Sequence, residues 1–167
     1  MNHARAYTSF GGAAAAILLA ALPLPATAHH SFAMYDARKT YVFTGVVTRI
    51  SPDANHLTIF FGPLNDARDT VIRDAAGEHV IWSVELRGAS QVALEGVTVA
   101  NFPPGTIFSV GLHPLRNGLP GGGRGKSGLF RCPANAPPAP GKHCDSVAGS
   151  TSHGQGVLPE PTGQWTP

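Results

Sequence analysis

The sequence has little charge and few cysteine or aromatic residues. Charged residues make up 13% of the 167 residues, and the formal net charge is only +2. That charge is too small for the concentrated basic face that nucleic-acid or anionic-membrane binding requires, so neither partner is expected. No spacing of serine, histidine, aspartate or cysteine predicts a nucleophilic active site. The composition therefore favours a protein that is not an enzyme.

The first 28 residues have the three parts of a secretory signal peptide. Arg5 lies in a short N-terminal region without acidic residues, residues 13–22 are apolar, and Ala26-Thr27-Ala28 matches the A-x-A pattern that signal peptidase cleaves. A membrane anchor is the alternative, but the apolar run is about half of the ~20 residues that a spanning helix needs, and no later stretch is longer. We therefore predict cleavage after Ala28, export to a bacterial periplasm or the cell exterior, and no membrane span in the mature chain.

The two cysteines, Cys132 and Cys144, are the only ones in the chain. In an oxidising compartment a disulfide between them is the expected state. It would close a short proline-rich loop that has little apolar material to pack. A thiol metal or redox pair is the alternative, but eleven intervening residues do not match the CxxC spacing of that chemistry.

The mature chain divides by composition into two parts. Residues 29–117 have the pattern of a globular domain, whereas residues 118–167 are rich in glycine and proline and predict a mostly irregular tail, with a short strand at 129–131. Residues 121–127 resemble a phosphate-binding loop, but the position of its first glycine is occupied by Pro120 and no helix pattern follows. We interpret that stretch as a flexible linker.

The globular part predicts an all-β fold with one short helix. Apolar and β-branched residues alternate in the period of two that is typical of strands, with Gly45 marking a bulge or bend in the first strand. The predicted elements are strands at 41–50, 56–61, 79–86 and 106–112, and a helix at 90–94 with Ser90 as its N-cap. This order is that of a small OB-like Greek-key barrel, in which Trp82 is a core residue. A small open β-sandwich is the alternative.

Several short motifs of the chain resemble a known family. They are Ala28-His29-His30-Ser31-Phe32 after the signal, Tyr35-Asp36, Trp82-Ser83-Val84-Glu85-Leu86 and Pro104-Gly105-Thr106. In this order, over residues 28–117, they resemble small exported bacterial proteins of domain-of-unknown-function family 6152. The chain departs from the family's N-P-H pattern, since it has Ala54-Asn55-His56 with a proline at position 52. The resemblance implies an exported OB-like domain and supplies no catalytic residues.

The predicted mature N-terminus is a candidate metal ligand. After cleavage His29 would present its α-amine next to its imidazole, and the amine nitrogen and Nδ1 together can chelate Cu(II), a metal that imidazole sites favour. A third nitrogen could come from His30, His56 or His113, of which the last two lie at predicted strand ends. Two adjacent histidines at a chain terminus also commonly bind nothing specific, so metal binding is one alternative of two.

Two classes of function follow from these patterns. The first is an exported, non-enzymatic protein that binds Cu(II) or another divalent metal through His29, with a copper-dependent oxidase as a minor variant. The second is a metal-free envelope interaction module that binds an unknown envelope protein or small ligand through a barrel face or the C-terminal tail. Fold analogy alone does not choose between them.

Overall fold

A computed structural model describes residues 32–167, and the predicted signal peptide, His29 and His30 lie outside this range. The strands are β1 (Tyr41–Pro52), β2 (Leu57–Pro63), β3 (Trp82–Glu85), β4 (Ile107–Pro114), β5 (Gly121–Gly123), β6 (Leu129–Arg131) and β7 (Thr151–Ser152). One α-helix, α1 (Ala89–Leu94), follows β3, and short 3₁₀ turns occupy Phe32–Met34 and Cys144–Ser146. No helix in this part of the chain is long and apolar enough to cross a membrane.

The first five strands form a closed barrel. They are ordered β1-β2-β3-β5-β4, and β4 pairs back with β1 along six residues, from Tyr41 opposite Leu112 to Val46 opposite Ile107. All pairs are antiparallel except β3 with β5, which run parallel. This Greek-key order, with a helix between β3 and β4, is the OB-like arrangement that the sequence predicts. The all-β barrel is confirmed, and closure leaves no room for the open sandwich.

The barrel core consists of the inward residues of the alternating strands. Leu57, Ile59 and Phe61 of β2 are at most 1% exposed, whereas the intervening Thr58 and Phe60 are partly exposed. Trp82 and Val84 of β3 alternate with partly exposed residues in the same way. In β4, Phe108, Val110 and Leu112 are fully buried, but the intervening Ser109 and Gly111 are buried as well. Each such side chain contributes about 1.5–3 kcal/mol on burial. The predicted inward faces are thus confirmed, Trp82 included.

The bulge of β1 lies three residues beyond the predicted position. The pairing with β2 shifts between Val47 and Arg49, so that Thr48 is the additional residue. Gly45, where the bulge is predicted, is instead regularly paired, and a Cβ built there would lie 2.5 Å from Cδ2 of Phe61. Gly45 is therefore needed for the close approach of an aromatic ring and not for a bend.

The helix begins slightly earlier than predicted. It runs from Ala89 to Leu94, the N-cap position is Gly88, and no side chain caps it. Ser90, the predicted N-cap, lies within the first turn. The prediction that Gly96 ends the helix agrees with the structure, where Gly96 has a φ of +80° that a glycine adopts without strain.

The interpretation of residues 121–127 as a flexible linker is wrong at its start, because Gly121–Gly123 form β5. The strand lies between β3 and β4 and completes the barrel, which therefore extends beyond residue 117. A Cβ built at Gly122 would lie 2.5 Å from the carbonyl oxygen of His113, and one at Gly123 would lie 2.7 Å from the Tyr35 ring. Only glycine fits these close approaches. The glycine run, which resembles a linker in the sequence, is therefore required here for close packing of β5 against its neighbours.

The predicted disulfide between Cys132 and Cys144 is present, with the two Cα atoms 5.0 Å apart. A buried polar chain next to it joins the disulfide loop to the barrel. The N–H of Cys144 donates to Oγ of Ser109 (2.8 Å), that Oγ lies 2.7 Å from Oγ1 of Thr44, and Oγ1 lies 2.8 Å from Nδ1 of His143. The loop is therefore held by hydrogen bonds to β1 and β4 as well as by the covalent bond.

The last fifteen residues continue along the outside of the barrel. His153, only 3% exposed, donates its backbone N–H to Leu129, and further along Thr162 donates its own to the carbonyl oxygen of Thr40 (3.0 Å). The ring of Trp165 then packs edge-on against Trp82, with centroids 5.5 Å apart. The chain end thus covers an aromatic part of the core.

Candidate functional site

His56 and Glu85 meet on the outer face of the barrel. Thr58 pairs with Glu85 in the β2–β3 register, and His56 lies just before β2 on the same face as Thr58. This places Nδ1 of His56 3.1 Å from Oε1 of Glu85, and both side chains are about one-third exposed, at 34% and 35%. The outer face of β2 and β3 is the one that OB barrels commonly use for ligands.

Tyr35 extends this pair into a cluster of three. It forms an isolated bridge with Leu115, and its ring covers Gly123 of β5, while its hydroxyl donates a hydrogen bond to Glu85. Burial raises the pKa of Tyr35, and the negative charge of Glu85 and the hydrogen bond to it raise it further. Tyr35 therefore stays a neutral phenol at physiological pH. We call Tyr35, His56 and Glu85 the outer-face cluster.

The segment that carries Tyr35 is fixed at the end of β4. Asp36 donates its backbone N–H to the carbonyl oxygen of Pro114 (2.8 Å), and Arg116 donates through its backbone and side chain to the carbonyl oxygens of Met34 and Ala33 (both 2.9 Å). The hydrogen bond from Arg38 lowers the pKa of Asp36. These contacts determine where the chain enters the barrel domain.

His113 lies on β4, next to the β5 strand that the Tyr35 ring covers. It pairs with Gly123, which in turn pairs with Glu85, so two strand spacings of ~5 Å separate His113 from Glu85 along the sheet. Nδ1 of His113 is 2.8 Å from the carbonyl oxygen of Lys39. Because a carbonyl only accepts, Nδ1–H is the donor in this contact, and Nε2 is the ring nitrogen that could ligate a metal.

The structure thus places two of the four predicted metal ligands and brings them near the same rim. His56 belongs to the outer-face cluster and His113 flanks it, whereas His29 and His30 lie outside the described residues. Within residues 32–167 no group of three His, Cys, Asp or Glu side chains is placed to hold a metal ion. The described residues by themselves therefore do not form a complete metal site.

Sequence reasoning misses Glu85 and Tyr35 as members of a site. From strand spacing, Glu85 and His79 are too far apart to interact, because six residues of a strand span ~20 Å. The partner of Glu85 comes from the neighbouring strand. Alternation places His56 and Glu85 on outward faces, but only the β2–β3 register shows that they are neighbours.

The fold and this cluster define a small closed β-barrel protein of the OB-like type with a polar cluster on the outer face of β2 and β3. The family of unknown function DUF6152 matches residues 15–124, and the chain belongs to this family. The match ends directly after β5 and so includes all five barrel strands and the cluster. No curated protein and no solved structure matches the chain.

Proposed function

We propose that this protein is exported and binds Cu(II), or another divalent metal, at the rim of the barrel, through the α-amine and imidazole of His29 together with the imidazole of His56. It acts as a binding protein and not as an enzyme. The observation that supports this most is the outer-face cluster, in which Tyr35 and Glu85 connect the N-terminal segment to His56.

The described part of the N-terminal segment already contacts the outer-face cluster. The Tyr35 side chain, directly after the 3₁₀ turn Phe32–Met34, contacts Glu85, whose Oε1 is 3.1 Å from Nδ1 of His56. His29 precedes that turn by three residues, and three residues span up to ~10 Å when extended. The proposal requires these three residues to bring His29 to the His56 imidazole.

Glu85 provides the support that a metal-binding histidine commonly has. A carboxylate that accepts from one ring nitrogen orients the imidazole and makes the other nitrogen a better donor to a metal. Tyr35 donates to the same carboxylate and so restricts its position. His113 has a neutral carbonyl at the corresponding place. Because the charge of Glu85 also attracts a cation, His56 is the better third ligand.

A Cu(II) titration of the processed protein tests the proposal. The chain is purified from the periplasm, its N-terminus at His29 is confirmed by mass, and its affinity is compared with that of a version carrying one additional residue before His29. We expect sub-micromolar binding that is lost on extension, because the amine then no longer lies beside the His29 ring. Weak and equal binding by both forms would contradict the proposal, as would a mature mass that does not begin at His29.

The third ligand is tested with matched histidine variants. His56→Ala is expected to weaken Cu(II) binding by at least about tenfold, the usual cost of losing one ligand. His113→Ala is the matched control, because it removes a histidine of similar partial exposure from β4. It is expected to have little effect on Cu(II) affinity. The reverse result would assign the third nitrogen to His113 and overturn the role given to the outer-face cluster.

A further inference from the structure

A second concave site lies at the opposite end of β4 from His113. It is an open cleft of about 550 Å³ between the loop that precedes β4 and the segment that follows β6. Its walls are mainly apolar and include Pro103, Pro104, Ile107 and Pro133, and its polar groups include Asn101 and Arg131. We call it the β4–β6 cleft. A mainly apolar wall with a few convergent polar groups is typical of small-molecule sites, and the volume is within their usual range.

Among the residues that the structure describes, Arg131 is the one charged residue that lines the cleft, and its guanidinium is held in place. Nη1 donates to the carbonyl oxygen of Asn101 (2.7 Å), and the guanidinium carbon lies 5.9 Å from the centre of the Phe102 ring. Nη1 donates to Asn101, and the other edge of the guanidinium, formed by Nε and Nη2, has two parallel N–H groups whose spacing matches the two oxygens of a carboxylate. The cleft therefore combines apolar walls with a single oriented positive charge.

The walls of the cleft are also fixed by the fold. Cys132, next to Arg131, is tied to Cys144 by the disulfide and donates its backbone N–H to the carbonyl oxygen of Ile107 (3.0 Å). On the facing wall, Thr106 donates through its hydroxyl to the carbonyl oxygen of Pro103 (2.7 Å). A site whose walls are ordered before binding loses less entropy when a ligand enters.

From these features we propose that the β4–β6 cleft is a binding site for a small molecule that carries one carboxylate on an apolar body, with the carboxylate on Arg131 and the body against the prolines. This site is distinct from the outer-face cluster. Ile107 and His113 are six residues apart on β4, which corresponds to ~20 Å. The two sites can therefore be tested independently on the same protein.

Benzoate and benzamide are suitable probes, because they have the same shape and differ in charge. We expect benzoate to bind the ¹⁵N-labelled mature chain with roughly millimolar affinity, as suits so small a ligand, and to shift the amide resonances of Asn101, Thr106 and Arg131. Benzamide is expected to bind at least about tenfold more weakly, because it cannot form charge-assisted hydrogen bonds with Arg131. Equal binding of the two probes, or shifts only elsewhere in the protein, would overturn the proposal.

Two variants separate the charge from the cavity. Arg131→Gln is expected to reduce benzoate affinity at least about tenfold, whereas Arg73→Gln, which removes an exposed arginine from a distant hairpin, is expected to leave it unchanged. Ala134→Trp places a large ring in the cleft from an exposed lining position, so it is expected to abolish binding while the fold is kept. Benzoate binding that survives Ala134→Trp would place the probe outside the cleft. Cu(II) affinity is expected to be the same in all three variants.

Discussion

Residues 32–117, which hold four of the five barrel strands, and the C-terminal segment, residues 118–167, are stabilised in different ways. Within residues 32–167, fourteen of the fifteen residues in the hydrophobic core precede residue 118, and Leu129 is the exception. The C-terminal segment instead buries the disulfide, Arg124 and His153. Apolar burial depends little on pH or redox state, whereas buried charged and titratable groups depend on both their partners and their protonation. The comparison shows that one small domain can combine a core stabilised by apolar burial with a C-terminal segment held by a disulfide and by buried polar groups.

Arg124 illustrates the second mode. It is 6% exposed, and it donates to Oε2 of Glu95 (3.0 Å) and to the carbonyl oxygens of His153 (2.6 Å) and Ser127 (2.8 Å). Burial and, to a smaller extent, the charge of Arg87 together lower its pKa to about 10. A buried charge is tolerated only when it is paired and hydrogen-bonded in this way. Arg124 thus connects β5, α1 and the C-terminal segment at one point.

The largest effect is expected from a cavity in the barrel. Phe61→Ala removes a fully buried ring that contacts Phe43 and Phe108, and is expected to cost about 3–5 kcal/mol in the free energy of unfolding. Leu94→Ala is the control, since Leu94 is 91% exposed and is expected to change stability by less than about 0.5 kcal/mol. Urea unfolding monitored by tryptophan fluorescence measures both. A similar small cost for the two variants would show that the barrel core is not the main source of stability.

Loss of the disulfide is expected to rank second. Replacing Cys132 and Cys144 together by alanine opens a loop with a sequence separation of 12, and is expected to cost about 3 kcal/mol. Limited proteolysis followed by mass spectrometry should find the first new cleavages within residues 133–152, before any cut in β1–β4. Cleavage that begins in the barrel strands would mean that the two regions are not separately stabilised.

The pH dependence of stability should come from His153. Burial and, to a smaller extent, the charges of Arg131 and Arg124 together lower its pKa to about 4, while its Nδ1–H donates to the carbonyl oxygen of Glu95 (2.8 Å). The unfolded chain binds a proton near pH 6.5 that the folded chain does not bind until about pH 4. Stability is therefore full above pH 6.5, and falls as the pH decreases through this window, by about 2 kcal/mol between pH 7 and pH 5.

Unfolding measured by urea at pH 7, 6 and 5 checks this expectation. His153→Asn retains a donor near the position of Nδ1 but does not titrate, so its stability should vary less over the same range. If the free energy of unfolding of this variant falls with pH as steeply as that of the wild type, other groups cause the acid sensitivity. The contrast between a pH-independent core and a pH-sensitive C-terminal segment would then be lost.

The smallest effect is expected from a polar contact on the barrel itself. Tyr35→Phe keeps the ring over Gly123 but removes the hydroxyl that donates to Glu85. Because Glu85 is partly exposed and water can replace the hydroxyl, the cost is expected to be about 1 kcal/mol. Thermal unfolding measures it, and NMR titration of the His56 ring reports whether the cluster persists. A cost as large as that of losing the disulfide would show that polar contacts stabilise the barrel as strongly as they stabilise the C-terminal segment.

Much of the barrel could be predicted because its signals are local. Alternation in residues 57–61 identifies the inward face of β2 from five consecutive residues, and the same holds for Phe108, Val110 and Leu112. The order of strands and helix then left few topologies. The prediction from local composition was wrong for Gly121–Gly123. A run of glycines is found both in flexible linkers and in strands that neighbouring atoms approach closely, and composition does not distinguish the two.

The candidate site could be predicted only in part. His56 was identified as a possible ligand from its position at a strand end, but its contact with Glu85 required the β2–β3 register, and that of Tyr35 required the path of the N-terminal segment over β5. His153 carried no signal, because nothing local to a glycine- and serine-rich stretch indicates that its imidazole is buried against Phe102.

By itself, the sequence determined which side chains of each strand face inward, the presence of one short helix, and the pairing of the only two cysteines. These depend on the period of the strand, on local helix signals and on the absence of any other thiol. The tertiary structure decided which outward side chains are neighbours, which glycines are needed for close packing, and which polar groups of the C-terminal segment are buried. Those outcomes depend on register and on contacts between distant parts of the chain, and no local pattern of residues encodes them.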